Sequence, residues 1–175
     1  MTSFNYWLLV DTVRIPDAFS IMQDAMDISD YTSLFQGCDF EYLIEQSPLL
    51  INLGNNFEAL KFWGELDYFN SSSIMLEVEQ GINDDTLIKH LQKLLIVSIS
   101  GKKMLFRYYT NVIWEQIDVE SLVPQDIYTL LGPVNRLFWL TQNNKLSQLE
   151  NSESNDEIAC AEQLTLISPV FDKWV

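Results

Sequence analysis

The side chains able to act as a base, a nucleophile or a metal ligand are few and scattered. His90 is the single histidine, Cys38 and Cys160 are the two cysteines, and 25 Asp and Glu residues are spread along the chain. A Ser-His-Asp arrangement would have to use His90, since activating a hydroxyl needs an imidazole that an acid orients. His90 instead falls in the middle of a helical pattern, beside Leu87, Leu91, Leu94 and Leu95. A packed helix histidine is the simpler reading, and no nucleophile or orienting acid can be assigned to it. Zinc sites need N and S ligands at close spacing, and neither cysteine has such a partner. Cys38 lies in "GCDFE" beside two acids, whereas thiolate chemistry wants cationic neighbours. Glu77 and Glu79 share a strand face and could in principle form a glycosidase-type pair; a solvated edge is the expectation. With six glycines in all, neither GxxxxGK nor GxGxxG occurs. The residues therefore predict no catalytic, cofactor-binding or metal site, and a protein that is not an enzyme.

The charge pattern carries more information. There are 25 acids against 10 bases, a formal net charge of −15. Residues 1–60 hold nine acids and one base, Arg14. Residues 86–114 hold no acid and half of the chain's bases: Lys89, Lys93, Lys102, Lys103 and Arg107. Such a balance argues against nucleic acid, which needs clustered cations without competing acids, and against an anionic membrane surface. No apolar run reaches spanning length. The first residues lack a basic region and a small-residue cleavage site, so a cytoplasmic location is expected. Two cysteines make no disulfide framework, and both are expected to stay reduced.

Arg107 is the most informative of the cations. In an extended Lys103–Tyr109 it shares a face with Leu105 and Tyr109, while Met104, Phe106 and Tyr108 face the other way. If both faces of the sheet are covered, Arg107 is partly buried and needs an acid. Asp11, which ends an apolar strand, is the candidate, giving a structural charge pair Asp11–Arg107. The alternative is that Arg107 captures a carboxylate or carbonyl of a partner. Lys89 and Lys93 read as a solvated helix face. Lys102 and Lys103 read as a hairpin tip protected from edge pairing.

The elements that position these residues follow from periodicity. A chain of 175 residues, 47% hydrophobic and 13% aromatic, can build one core without disulfides or metal. Tyr6–Asp11, Leu49–Leu53 and Ser72–Glu79 read as strands, with a short one at Leu34–Phe35. Pro16 starts a helix, Asn55 or Asn56 caps a second, and Asn83–Asp84–Asp85 opens the strongest. Ile96–Ile99, Ser100–Gly101 and Met104–Tyr109 form a hairpin signal. Helices at Asn111–Ile117 and Pro124–Leu131 follow, then a strand over Arg136–Thr141 that Leu146–Leu149 can pair. The expected class is α/β of the mixed α+β kind: a central mixed sheet containing one β-hairpin, flanked by helices, with a small C-terminal helical appendage. The expected division is a domain over 1–141, a polar, acidic, mobile loop over 142–163, and the start of a C-terminal helix over 164–175.

The order of segments resembles a known family. "YWLLVD" (Tyr6–Asp11), "EQSPLLINL" (Glu45–Leu53), "FWG" (Phe62–Gly64), "LIKHLQKLLIV" (Leu87–Val97), "GKKMLFRYYT" (Gly101–Thr110) and "LLGPV" (Leu130–Val134) recur in that order. They are similar to motifs of the bacterial type VI secretion effector adaptors, or effector chaperones, a family long catalogued as a domain of unknown function. The resemblance covers about residues 6–140. Thr110–Asn111 stands where the family often has Asp-Pro, and a hydroxyl with an amide can still form that turn.

The resemblance implies a bacterial, cytoplasmic, non-enzymatic protein without cofactors. It would bind a cognate effector through the effector's N-terminal region and promote loading onto the VgrG spike protein. A surface that shields apolar segments suits aromatic side chains, which bury much area at little entropy cost. The candidate partner-binding residues are Trp63, Phe69, Arg107, Trp114, Trp139, Phe171 and Trp174. An acidic protein of this size also suits an immunity protein that neutralises a toxin by binding it.

Overall fold

Alternation along β1 (Phe4–Val10) sets the architecture. Trp7 and Leu9 enter one core cluster, while Tyr6, Leu8 and Val10 enter another. A strand that is apolar on both faces must be covered on both. In the computed structural model, which describes residues 1–151 and 161–175, β1 lies inside a six-stranded sheet. Its neighbours are β3 (Leu49–Asn52) and β4 (Ser73–Glu79), with Trp7 opposite Asn52 and Leu76. With β2 (Asp30–Ser33), β7 (Val134–Leu140) and β8 (Leu146–Glu150), the order is β2-β3-β1-β4-β7-β8, and every neighbouring pair is antiparallel.

One face is covered by α1 (Ala18–Ala25), α2 (Ala59–Trp63) and α3 (Phe69–Ser72), which contribute Ala18, Met22, Leu60, Trp63 and Phe69. Over the other lie α4 (Asp84–Lys93), α5 (Asn111–Gln116) and α6 (Pro124–Leu131). A second, three-stranded sheet completes that layer. It contains β5 (Ile96–Ile99), β6 (Lys102–Leu105) and β9 (Leu164–Leu166) in the order β6-β5-β9. The mixed α+β class is as expected. The distribution of strands differs in one respect: the hairpin β5–β6 belongs to the small sheet, and only there are antiparallel and parallel pairs combined. The cause is α4, which carries the chain away from the central sheet and onto its face.

Local chemistry explains the layer that holds the basic stretch. Asn83 accepts from the Asp85 amide at 2.8 Å, and Asp84 and Asp85 sit in the first turn of α4, where carboxylates oppose the positive helix end. Ser100 and Gly101 both have positive φ, 50° and 78°, as a two-residue hairpin turn of the primed type requires. Lys102–Leu105 pairs with β5, but the strand stops there, short of the predicted Tyr109. Phe106 turns inward to pack on Tyr108 and Trp114, and burial of these rings outweighs continuing the ladder. The second strand also differs, lying at Asp30–Ser33 with Leu34 and Phe35 in the core beyond it.

The C-terminal limits need correction. β8 occupies Leu146–Glu150, inside the stretch expected to be a loop. Residues 152–160, which include Cys160 and nine of the 22 residues of that stretch, lie outside the described residues. Before the last helical turn comes β9, which the sequence reading missed because three residues carry no periodicity. The end is a 3-10 helix over Pro169–Trp174. Its seat is the fully buried Asp126, whose carboxylate accepts from the amides of Ile167 at 3.0 Å and Ser168 at 2.6 Å. The Ser168 hydroxyl accepts in turn from Val123 at 3.0 Å.

His90 is buried between α4 and the end of α6, its Nε2 3.1 Å from the Leu130 carbonyl. Burial disfavours the imidazolium and lowers its pKa from 6.5 to about 4. Between these values the unfolded chain binds a proton that the folded one does not. Stability is therefore present above pH 6.5 and lost as pH falls towards 4, by about 3 kcal/mol in all. Denaturant titrations at pH 7 and pH 4.5 should show His90→Gln losing less stability than wild type over that interval.

Candidate functional site

The acid-free stretch builds the wall of a groove. The Leu87 and Leu91 face of α4 packs into the core, which turns Lys89 and Lys93 outward. Ile96 of β5 and Lys103 of β6 lie on one face of the hairpin, close to these lysines. Gln92 ties the opposite wall to α4: its Nε2 donates to the carbonyls of Leu34 at 2.9 Å and Gln36 at 2.8 Å. Phe40 leans on Phe35 at 5.4 Å between ring centroids, and Cys38 donates to the Phe35 carbonyl at 3.3 Å. Gln163 donates from Nε2 to the Ile96 carbonyl at 3.0 Å. The open groove measures about 690 Å³ and is lined by Cys38, Phe40, Ile96, Lys89, Lys93 and Lys103, together with Asp39, Gln92, Glu162 and Gln163.

Its chemistry is an apolar floor under cations. Lys93 donates to the Ala161 carbonyl at 3.1 Å. Lys89 and Lys103 have no hydrogen bond or ion pair among the described residues. Two solvated ammonium groups beside Phe40 and Ile96 can hold carboxylates next to apolar side chains. Asp39 and Glu162 set limits on which anions fit, by repulsion.

Arg107 lies at the other end of the same hairpin. Asp11 turns the chain after β1, with Oδ1 accepting from Val13 at 3.0 Å and Arg14 at 3.4 Å. Its Oδ2 accepts from Arg107 Nη2 at 2.9 Å. The pair is lopsided: the Asp11 side chain is 3% exposed and that of Arg107 48%. The guanidinium also lies over Tyr109, 5.8 Å from the ring centroid. Burial raises the Tyr109 pKa, and Arg107 partly opposes the rise. Because Asp11 keeps two backbone donors and Arg14 at 3.9 Å, Arg107→Ala should cost only about 1–2 kcal/mol in chemical denaturation.

A second charge pair escaped the sequence reading. Glu77 was expected on a solvated edge, yet β4 lies between β1 and β7 and Glu77 is 1% exposed. It sits opposite Arg136, whose Nε and Nη2 donate to Oε1 at 2.8 Å and Oε2 at 2.5 Å. The Tyr6 hydroxyl donates to Oε2 at 2.9 Å, and burial with this bond pushes the Tyr6 pKa up to about 12. The readable signal was Arg136 leading into the apolar run Leu137–Leu140, where a cation requires an acid across the ladder.

The aromatic candidates are placed differently from the expectation. Trp63, Phe69, Trp114, Trp139 and Phe171 are buried in the core. Their polar atoms are satisfied internally: Trp63 donates to Ser73 Oγ at 2.9 Å and Trp114 to the Tyr108 carbonyl at 2.7 Å. Trp114 and Trp139 stack at 5.8 Å. Trp174 is half-buried against Phe171 and Phe106. The exposed aromatics are Tyr31, Tyr42, Phe57, Phe62 and Tyr68. The sequence offers a weak cue for three of them, because Tyr31, Tyr42 and Tyr68 each follow an acid. Of the predicted partner residues, Arg107 alone is open to solvent by half, and it lies outside the groove lining.

No helix among the described residues is long and apolar enough to cross a membrane. No match was found among curated proteins or among solved structures. A family model described as a domain of unknown function, DUF4123, matches residues 6–122. That span runs from β1 through α5 and carries Cys38, Phe40, Lys89, Lys93, Ile96 and Lys103, which line most of the groove. The match covers well over half of the 175 residues, and the chain belongs to the DUF4123 family.

Proposed function

We propose that this protein is an adaptor that binds a cognate type VI secretion effector and promotes its loading onto the VgrG spike, acting in the bacterial cytoplasm. The observation that carries the reading is the groove, where two lysines without a partner among the described residues flank an apolar floor in a chain of net charge −15. Such a surface favours holding a polypeptide over transforming a small molecule. The ordered motifs from "YWLLVD" to "GKKMLFRYYT" support the adaptor reading, and they fall within the family match. His90, the one imidazole, is turned inward on the Leu130 carbonyl and held neutral by burial, which favours binding over acid–base chemistry.

Co-expression of the full chain with the products of its neighbouring genes tests this. A stable complex with an effector, or with effector and spike protein together, is expected on gel filtration. Absence of any such complex, or turnover of a substrate that His90→Ala abolishes, would overturn it.

A further inference from the structure

Resting on that reading, we propose that the groove between α4, the Cys38–Phe40 segment and the outer face of β5–β6 seats a segment of the effector that carries carboxylates beside apolar side chains. Charge complementarity selects that occupant. The chain concentrates half of its bases in 29 residues without an acid, and Lys89, Lys93 and Lys103 from that stretch converge on one concavity. Lys93 is fixed on the Ala161 carbonyl, while Lys89 and Lys103 are left free among the described residues. A free lysine on a surface usually needs no explanation. Two from separate elements, one on a helix and one on a strand, facing one apolar floor are a different matter. Phe40 and Ile96 contribute area that water wets poorly, and an acidic segment without apolar side chains would leave that area exposed. An apolar segment without acids would leave the ammonium groups partly desolvated and unpaired. Asp39 and Glu162, which also line the groove, restrict the register by repelling carboxylates from their own positions.

The test uses the full chain and the effector that co-purifies with it, together with synthetic peptides tiling that effector. Lys89→Glu with Lys103→Glu should weaken effector binding at least tenfold while leaving the melting temperature near that of wild type. The matching Gln pair should fall between. Lys61→Glu with Lys145→Glu changes net charge equally at distant sites and should stay within about twofold. The tightest-binding peptide should contain both acids and apolar residues. Unchanged affinity in the folded Lys89/Lys103 variant would overturn the inference and leave the adaptor reading standing, as would a tightest peptide without carboxylates. Self-association of the wild type that the same two changes abolish would assign the groove to a second copy of this chain instead. If wild type binds no effector at all, the adaptor reading fails and takes this inference with it.

Discussion

Glu77→Ala is expected to destabilise the fold by about 3–5 kcal/mol. The carboxylate accepts three hydrogen bonds, two from Arg136 and one from the Tyr6 hydroxyl, at a site that water does not reach. Removing it leaves a guanidinium that is only partly solvated and a phenol without an acceptor. For a domain stabilised by roughly 5–15 kcal/mol, this is a large fraction. The loss reflects orphaned partners more than the intrinsic worth of the ion pair. The triple change Glu77→Leu, Arg136→Met and Tyr6→Phe replaces the whole set with apolar groups of similar size. It should recover most of the stability in urea titrations. A triple variant as unstable as Glu77→Ala would show that the pair itself, with its geometry, supports the sheet.

Gly132→Ala should cost about 2–5 kcal/mol. Gly132 ends α6 with φ +51°, where a side chain is strained in any surroundings. A Cβ there would also lie 2.4 Å from two atoms of the His90 imidazole. That ring cannot retreat, being buried and bonded to the Leu130 carbonyl. The two terms can be separated. His90→Ala removes the ring and so the clash, but not the strained φ. Adding Gly132→Ala to His90→Ala should therefore cost less than adding it to wild type, a coupling that a double-mutant cycle measures directly. Equal costs in both backgrounds would mean that the backbone conformation alone demands glycine.

Much of the frame was legible because it rests on short-range patterns. The apolar run of β1, the alternation of β4, the acids opening α4 and the Ser-Gly turn each announce a local geometry that tertiary packing kept. What escaped depended on partners distant in sequence. β9 pairs with β5 across more than 60 residues and is held by Asp126, so nothing near Leu164 signals a strand. Glu77 looked solvated because its partner Arg136 comes 59 residues later. The groove was partly visible. Residues 86–114 stood out as a basic island, but that Lys89, Lys93 and Lys103 would meet Phe40 required knowing that Gln92 fastens the Leu34–Gln36 backbone to α4. The large aromatics misled for a physical reason: indoles and phenyl rings are as useful inside as at an interface, and here the core claimed Trp63, Trp114, Trp139 and Phe171.

The acidic balance of the chain bears on the competing immunity reading, since a protein that blocks a basic toxin cleft would also be strongly negative. The two readings part on which phenotype follows deletion. The most direct measurement is secretion of the neighbouring effector by a strain lacking this gene, scored beside survival of that strain against sister cells that deliver the same effector. The adaptor account predicts that secretion of that one effector is lost, that other effectors are still exported, and that self-protection is intact. Normal secretion with loss of self-protection would contradict it.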